Sequence, residues 1–193
     1  MITDDARFVA GHYRSLDLSG LRAESVEVTR CRFEDVRLAG SRLDGVAISD
    51  TALDRCDLAN VTVGNGSLVT STLTESRLTG LSWTSGHMRD VEFTGCRADL
   101  AGFRFARLAK VRFRECQMRG ADFQNADLRG AVFTGCDLSG AQFSSAQLEG
   151  ARFVDCALHD VRGVTSMRGA IVRTDDVLSL AHSLAAALGI RIE

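Results

Sequence analysis

The side chains with the most chemistry to offer are six cysteines and four histidines. The cysteines stand at Cys31, Cys56, Cys96, Cys116, Cys136 and Cys156. The last four recur every twenty residues, and Cys56 falls in the same phase. A zinc site draws on Cys and His in close pairs, and no such pair occurs here. His12, His87, His159 and His182 are scattered, and spacing alone gives none of them a nucleophile to activate. Gly120, Gly130, Gly135, Gly140 and Gly150 follow a strict period and form no phosphate-cradling loop. The expectation is therefore no catalytic residue, no cofactor site and no metal site. The protein reads as a non-enzyme, its thiols buried as small hydrophobes.

The spacing of twenty is a multiple of a shorter period. From Ala121 the chain runs ADFQN, ADLRG, AVFTG, CDLSG, AQFSS, AQLEG and ARFVD, and then Cys156 opens CALHD. Ala or Cys opens each unit and a large apolar residue centres it: Phe123, Leu128, Phe133, Leu138, Phe143, Leu148, Phe153 and Leu158. A period of five fits neither a helix nor a strand, so the signal is a repeat architecture. The frame extends back to Phe8 without slipping, and only Ala23 and Ala98 are undersized centres.

This pattern resembles the pentapeptide-repeat family, whose unit is roughly A(D/N)LXX, over Ala6 to about Gly163. The resemblance implies an all-β solenoid: a right-handed quadrilateral β-helix, four units to a coil, with the centre and the small residue two before it pointing inward. Residues twenty apart would then stack. Phe93, Phe113, Phe133 and Phe153 would share one face with Phe33, and Phe103, Phe123 and Phe143 would line the opposite one. About eight coils at ~4.8 Å make a rod of roughly 38 Å. Its interior is expected to be filled and to hold no pocket.

With 193 residues the chain reads as one domain, and its formal net charge of −2 gives no global pull toward nucleic acid or acidic lipid. No apolar stretch reaches membrane-spanning length and the N-terminus does not look like a secretory signal, so the expected location is cytoplasmic, where disulfides are rare. The chain has no proline, and no tract marks a linker. Residues 1–163 are assigned to the solenoid, its N-terminal residues capping the first coil, and 164–193 to a C-terminal capping or dimerisation segment. There Thr174 is expected as N-cap of a short helix over about 174–188, stopped by Gly189 and followed by an extended tail at Ile190 and Ile192. Val177, Ala181, Leu184 and Leu188 fall on one helical face, which suits either a homodimer interface or a lid on the last coil.

Val61 to Arg89 keeps the frame but fills it with Ser, Thr and Gly. This predicts looser packing with outward Ser/Thr ladders, or a local widening or partner-binding face in which Trp83 is an anchor. With no catalytic constellation, function falls to the outside of the rod. The best-known full-length members of the family protect DNA gyrase and topoisomerase IV, some as DNA mimics. The matching feature here is an acidic group at Glu34, Asp35, Asp54 and Glu75, although arginines interrupt it and no continuous anionic stripe emerges. Two expectations stand side by side: a protein partner that is DNA gyrase or another topoisomerase, or a general interaction scaffold with a different partner. A band of Arg104, Arg107, Lys110, Arg112, Arg114 and Arg119 supplies only a weak case for nucleic acid.

Overall fold

The computed structural model describes residues 4–191. It is a right-handed quadrilateral β-helix of about eight coils, closed at its C-terminal end by one short helix. Every ladder is parallel, and up to Gly163 partners lie twenty residues apart, as in Phe33↔Leu53, Leu73↔Phe93 and Phe113↔Phe133. One face is a nine-stranded sheet from His12–Arg14 to Ile171–Val172. A six-stranded face runs from Arg7–Val9 to Arg107–Ala109, and a four-stranded face from Arg22–Glu24 to Ser82–Thr84. Isolated bridges continue the latter through Gly102, Asp122 and Gln142, and other bridges make the fourth face.

Corners explain why five residues make a unit. Every fifth residue from Asp5 to Asp160 is left-handed, with φ between 47° and 70°. Such a conformation is open to Gly and tolerated by Asn and Asp, so the repeat favours those residues at its fifth position. Thr70, Leu100 and Phe105 occupy the same conformation despite their side chains.

The C-terminal half is packed as the spacing predicts. Phe93, Phe113, Phe133 and Phe153 stack at centroid separations of 4.7–5.0 Å. Phe103, Phe123 and Phe143 stack opposite them at 5.2–5.3 Å. The two columns meet edge to face at 5.9–6.4 Å, so the interior is only two rings wide.

The N-terminal half departs from the expected filled core. An apolar cavity of about 190 Å³ runs inside the rod from Phe8 and Tyr13 to Trp83, Met88 and Phe93. Its origin is volumetric. Where rings face rings further along, the corresponding columns here carry Leu53 and Leu73 against Leu43 and Val63. A void of this size costs roughly 4–5 kcal/mol relative to a filled core. Among the described residues the inward centres of the first two coils, among them Tyr13, Leu18, Phe33 and Leu38, remain partly accessible, so the cavity is least closed toward the N-terminal end.

Trp83 closes the cavity and corrects the reading of this residue as a surface anchor, because it is only 5% exposed. A Cβ at Gly66 would lie 3.1 Å from Trp83 Cζ2, and one at Gly86 would lie 2.4 Å from Nε1. These two glycines make the room that the indole fills. Its N–H has no hydrogen-bond partner among the described residues. Ser71 and Ser76 also point inward rather than forming outer ladders. Each donates its hydroxyl to the carbonyl two residues back, at 2.8 and 2.9 Å, and accepts an amide N–H from the preceding coil.

After Gly163 the register changes: Arg152 pairs with Ile171 and Phe153 with Val172, nineteen apart. A 3-10 turn, Val164–Met167, leads to the helix α1, Thr174–Ala187. The N-cap position is Arg173, in extended conformation and with no side-chain cap bond, so Thr174 is already helical and does not cap. Asp175 and Asp176 still place negative charge in the first turn, where the helix dipole favours it. At the other end Gly189, at φ 71°, donates to Ala186 O at 3.1 Å and Ile190 donates to Ala185 O at 2.8 Å. This pair is a Schellman stop. Ile190 enters no strand, and Ile192 lies outside the described residues, as do Met1, Ile2 and Thr3 of the expected N-terminal cap.

Candidate partner-binding surfaces

The interior accounts for the cysteines. All six are free and buried in the inward small position. Each Sγ in the long column approaches the carbonyl two residues earlier, for example Cys116 to Arg114 O at 3.2 Å and Cys136 to Thr134 O at 3.5 Å. The neighbouring Cys116 thiol and burial push Cys136 up to about 12, and Cys136 with burial pushes Cys156 up further. These are poor thiolates. All four histidines are exposed, and among the described residues no group of His, Cys, Asp and Glu is placed to hold a metal ion. No helix among the described residues is long and apolar enough to cross a membrane.

The four carboxylates singled out in the sequence do lie on one side of the rod, beside the ladder through Phe33, Leu53 and Leu73. Their environments differ. Glu34 is nearly buried and is held by Arg14 at 2.7 Å and by Arg32 at 2.5 Å, with His12 at 3.4 Å. Burial acts to raise its pKa, but the Arg32 hydrogen bond and the two guanidinium charges outweigh it and leave the carboxyl below its ordinary value. Asp35 is bound by Arg55 in a fork at 3.0 and 3.2 Å, which holds it below its ordinary range too. Arg55 also grips Asp54. Glu75 is exposed and makes no ion pair among the described residues. Three guanidiniums thus answer four carboxylates, and the side of the rod is close to charge-balanced.

The basic band is balanced in the same way. Arg104 pairs with Asp122 at 2.5 Å, Arg114 with Glu92 at 3.0 Å and Arg119 with Asp137 at 2.5 Å. Lys110 and Arg107 lie 3.6 and 4.0 Å from Asp90 and Asp127. Arg112 alone makes no ion pair among the described residues.

Uncovered apolar groups are the other surface feature. On α1, Leu180 is buried against the last coil, and Ser179 Oγ accepts the Leu158 N–H at 3.2 Å where another coil would have accepted it. Val177, Leu184 and Leu188 face outward, Leu188 with 75% exposure, while Ala181 is half-buried. Leu178 and Ile190 enlarge the stripe. Two further residues were not singled out from the sequence: Leu100 and Phe105, exposed by 69% and 59% at consecutive left-handed corners. Their signal was legible, since a large apolar residue at the fifth position breaks the Gly, Asn and Asp preference of that corner.

A family model described as a pentapeptide repeat region matches residues 26–103 and 86–143. The chain belongs to the pentapeptide-repeat family. Among solved structures it is similar to QnrB1, a plasmid-mediated fluoroquinolone resistance protein, at 17% identity over 99% of both chains with a TM-score of 0.49. It is also similar to HetL of the cyanobacterium Nostoc sp. strain PCC 7120, at 16% identity over 87% of this chain and 85% of HetL, TM-score 0.35. A pentapeptide repeat protein from the Arabidopsis thaliana thylakoid lumen matches at 26% identity over 46% of this chain and 70% of its own, TM-score 0.36. No curated protein matches significantly.

Proposed function

We propose that this pentapeptide-repeat protein is a non-catalytic, cytoplasmic binding rod, dimeric through α1, that acts on DNA gyrase or another topoisomerase. What carries the binding reading is the uncovered apolar surface on a rod whose thiols are all buried: Val177, Leu184 and Leu188 on α1, and Leu100 and Phe105 on the coils. An apolar stripe of this kind is closed by a second copy across a two-fold axis, where the same residues meet themselves. Gyrase is the partner to test first because the family resemblance points to it. The acidic group from Glu34 to Glu75 is the patch such an enzyme's basic DNA-binding surface would meet, with Asp35, Asp54 and Glu75 its more accessible members.

A second reading rests on Leu100 and Phe105, which sit away from that patch and are accompanied by Arg104 and Arg119. Aromatic and Arg side chains together are the composition of interface hot spots, so this corner suits a scaffold for a different protein. A supercoiling assay with purified protein, with and without a fluoroquinolone, and a pull-down of gyrase subunits separates the two. Inhibition of supercoiling or rescue from the drug, weakened by reversing Asp35, Asp54 and Glu75, supports the gyrase reading. No binding at micromolar protein refutes it for that gyrase and leaves the Leu100–Phe105 corner as the site to map.

A further inference from the structure

The cavity in the N-terminal half has the properties of a binding site for a hydrocarbon chain. Its volume is about 190 Å³, and no polar atom faces it. Of the two hydroxyl-bearing residues along it, Thr51 spends its Oγ1 on the Ser49 carbonyl at 2.8 Å and on the Cys31 N–H at 3.2 Å, and Tyr13 stands in the first layer, where it is partly accessible. Cavities of this character stay dry, and one of ~150 Å³ accepts benzene. Water gains nothing by entering, whereas an apolar guest regains the contacts that the missing rings would have made.

Shape narrows the guest. The filled half shows that the interior is two rings wide, the columns meeting at 5.9–6.4 Å between centroids. Here both ring columns are replaced, by Leu53 and Leu73 on one side and Leu43 and Val63 on the other, and about 190 Å³ drawn out along the rod makes a narrow bore, a shape that suits an unbranched chain better than a fused-ring molecule. The bore spans four coil steps, ~19 Å, from the Phe8–Tyr13 layer to the floor made by Trp83, Met88 and Phe93. Among the described residues its accessible end is the N-terminal one, where Leu16 is exposed and the first inward centres are partly accessible. Beyond the floor, Phe103 and Phe113 fill the section completely.

We infer that this half of the rod is a binding site for an unbranched alkyl chain, inserted end-on through the N-terminal mouth with its polar head left in water. By proportion to the benzene-binding cavity the volume suits about eight carbons, and the ~19 Å depth does not limit a chain of about ten to twelve. A free fatty acid and the acyl chain of a lipid share this chemistry. The inference is independent of any gyrase role, since it concerns the inside of the rod.

Trp83, the only tryptophan, forms part of the floor and reports directly on occupancy. The test titrates the full chain with 10-bromodecanoate and with 2-bromodecanoate while following tryptophan emission. Bromine at carbon 10 travels to the floor and quenches saturably, whereas bromine at carbon 2 stays at the mouth and quenches several-fold less. Affinity in the unbromininated acids, read by displacement, rises about fourfold per carbon from hexanoate to decanoate and stops rising beyond dodecanoate. Val63→Phe and Leu73→Phe place rings in columns that already carry them, and each abolishes quenching while circular dichroism keeps the solenoid signal. A monoacyl glycerophosphocholine bearing the 10-bromodecanoyl chain distinguishes the sources: quenching by it as well assigns lipid chains to the site, and quenching by the free acid alone assigns fatty acids. Equal quenching by the two bromo isomers, or quenching that does not saturate, overturns the inference. The isomer comparison uses the unmodified protein and stands even if a Phe variant fails to fold.

Discussion

Phe123 is the residue at which the stacked core is most exposed to experiment. Its ring is fully buried, stacked on Phe103 at 5.2 Å and on Phe143 at 5.3 Å, and it meets Phe113 and Phe133 edge to face at 6.4 and 5.9 Å. Truncating a buried Phe to Ala costs about 3–5 kcal/mol, the spread reflecting how far the site collapses around the hole. Collapse is restricted here. The backbone is tied to both neighbouring coils, Phe123 N to Gln142 O at 2.8 Å and Asp122 N to Ala101 O at 2.8 Å. Four aromatic contacts are lost in addition, each contributing about 0.5–1.5 kcal/mol beyond area. Phe123→Ala is therefore expected to cost about 5 kcal/mol or more in urea denaturation followed by circular dichroism. Leu43→Ala, on the same face but beside the existing cavity, is expected to cost about 2 kcal/mol, the low end for Leu, because its side chain already lacks part of its contacts. Near-equal losses in the two variants, or a loss below about 2 kcal/mol for Phe123→Ala, would refute the contrast between a filled and a hollow half.

Other expectations follow from the surface and the thiols. Asp17, Asp35 and Asp127 have lowered pKa values, held down chiefly by hydrogen bonds from Ser19, Arg55 and Arg129 respectively. A depressed carboxyl adds stability that is complete above its unfolded value, about 3.9, and is lost as pH falls through the lower folded value. Melting temperature should hold between pH 7 and pH 5 and fall on further acidification, with Asp35→Asn flattening part of that fall; a flat profile down to pH 3 contradicts the ion-pair account. Ellman's reagent at pH 8 should find no fast-reacting thiol in the folded protein and all six after denaturation. Any rapidly labelled cysteine would show that the ladder opens. Leu184→Asp combined with Leu188→Asp should convert a dimer to a monomer in sedimentation equilibrium without changing the melting temperature of the solenoid, and an unchanged mass would remove α1 from the interface.

How much of this is legible in the sequence alone depends on which degree of freedom a residue controls. A five-residue period separates inside from outside and sets the stacking of residues twenty apart, so the Phe columns and the thiol column were both legible. Packing volume is a different quantity. It is set by the four centres that share a cross-section, five residues apart, and not by any single column. Val63 and Leu73 each obey the repeat, yet together they leave a bore that Phe123 and Phe133 do not. The same holds for Trp83. Counted alone it is an oversized centre, but Gly66 and Gly86, in the inward positions it overlies, had already made room for its ring. Outside the rod, many ion pairs join residues about a coil apart, as in Arg104 with Asp122 and Arg55 with Asp35, beside close ones such as Arg32 with Glu34, so neighbours in sequence alone misstate the local field. A basic or acidic run in such a chain acquires a sign only when it is summed with the coil above and the coil below. That sum turns both the Glu34–Glu75 group and the Arg104–Arg119 band into nearly balanced surfaces, which is why the proposed binding rests first on the apolar residues left uncovered among the described ones.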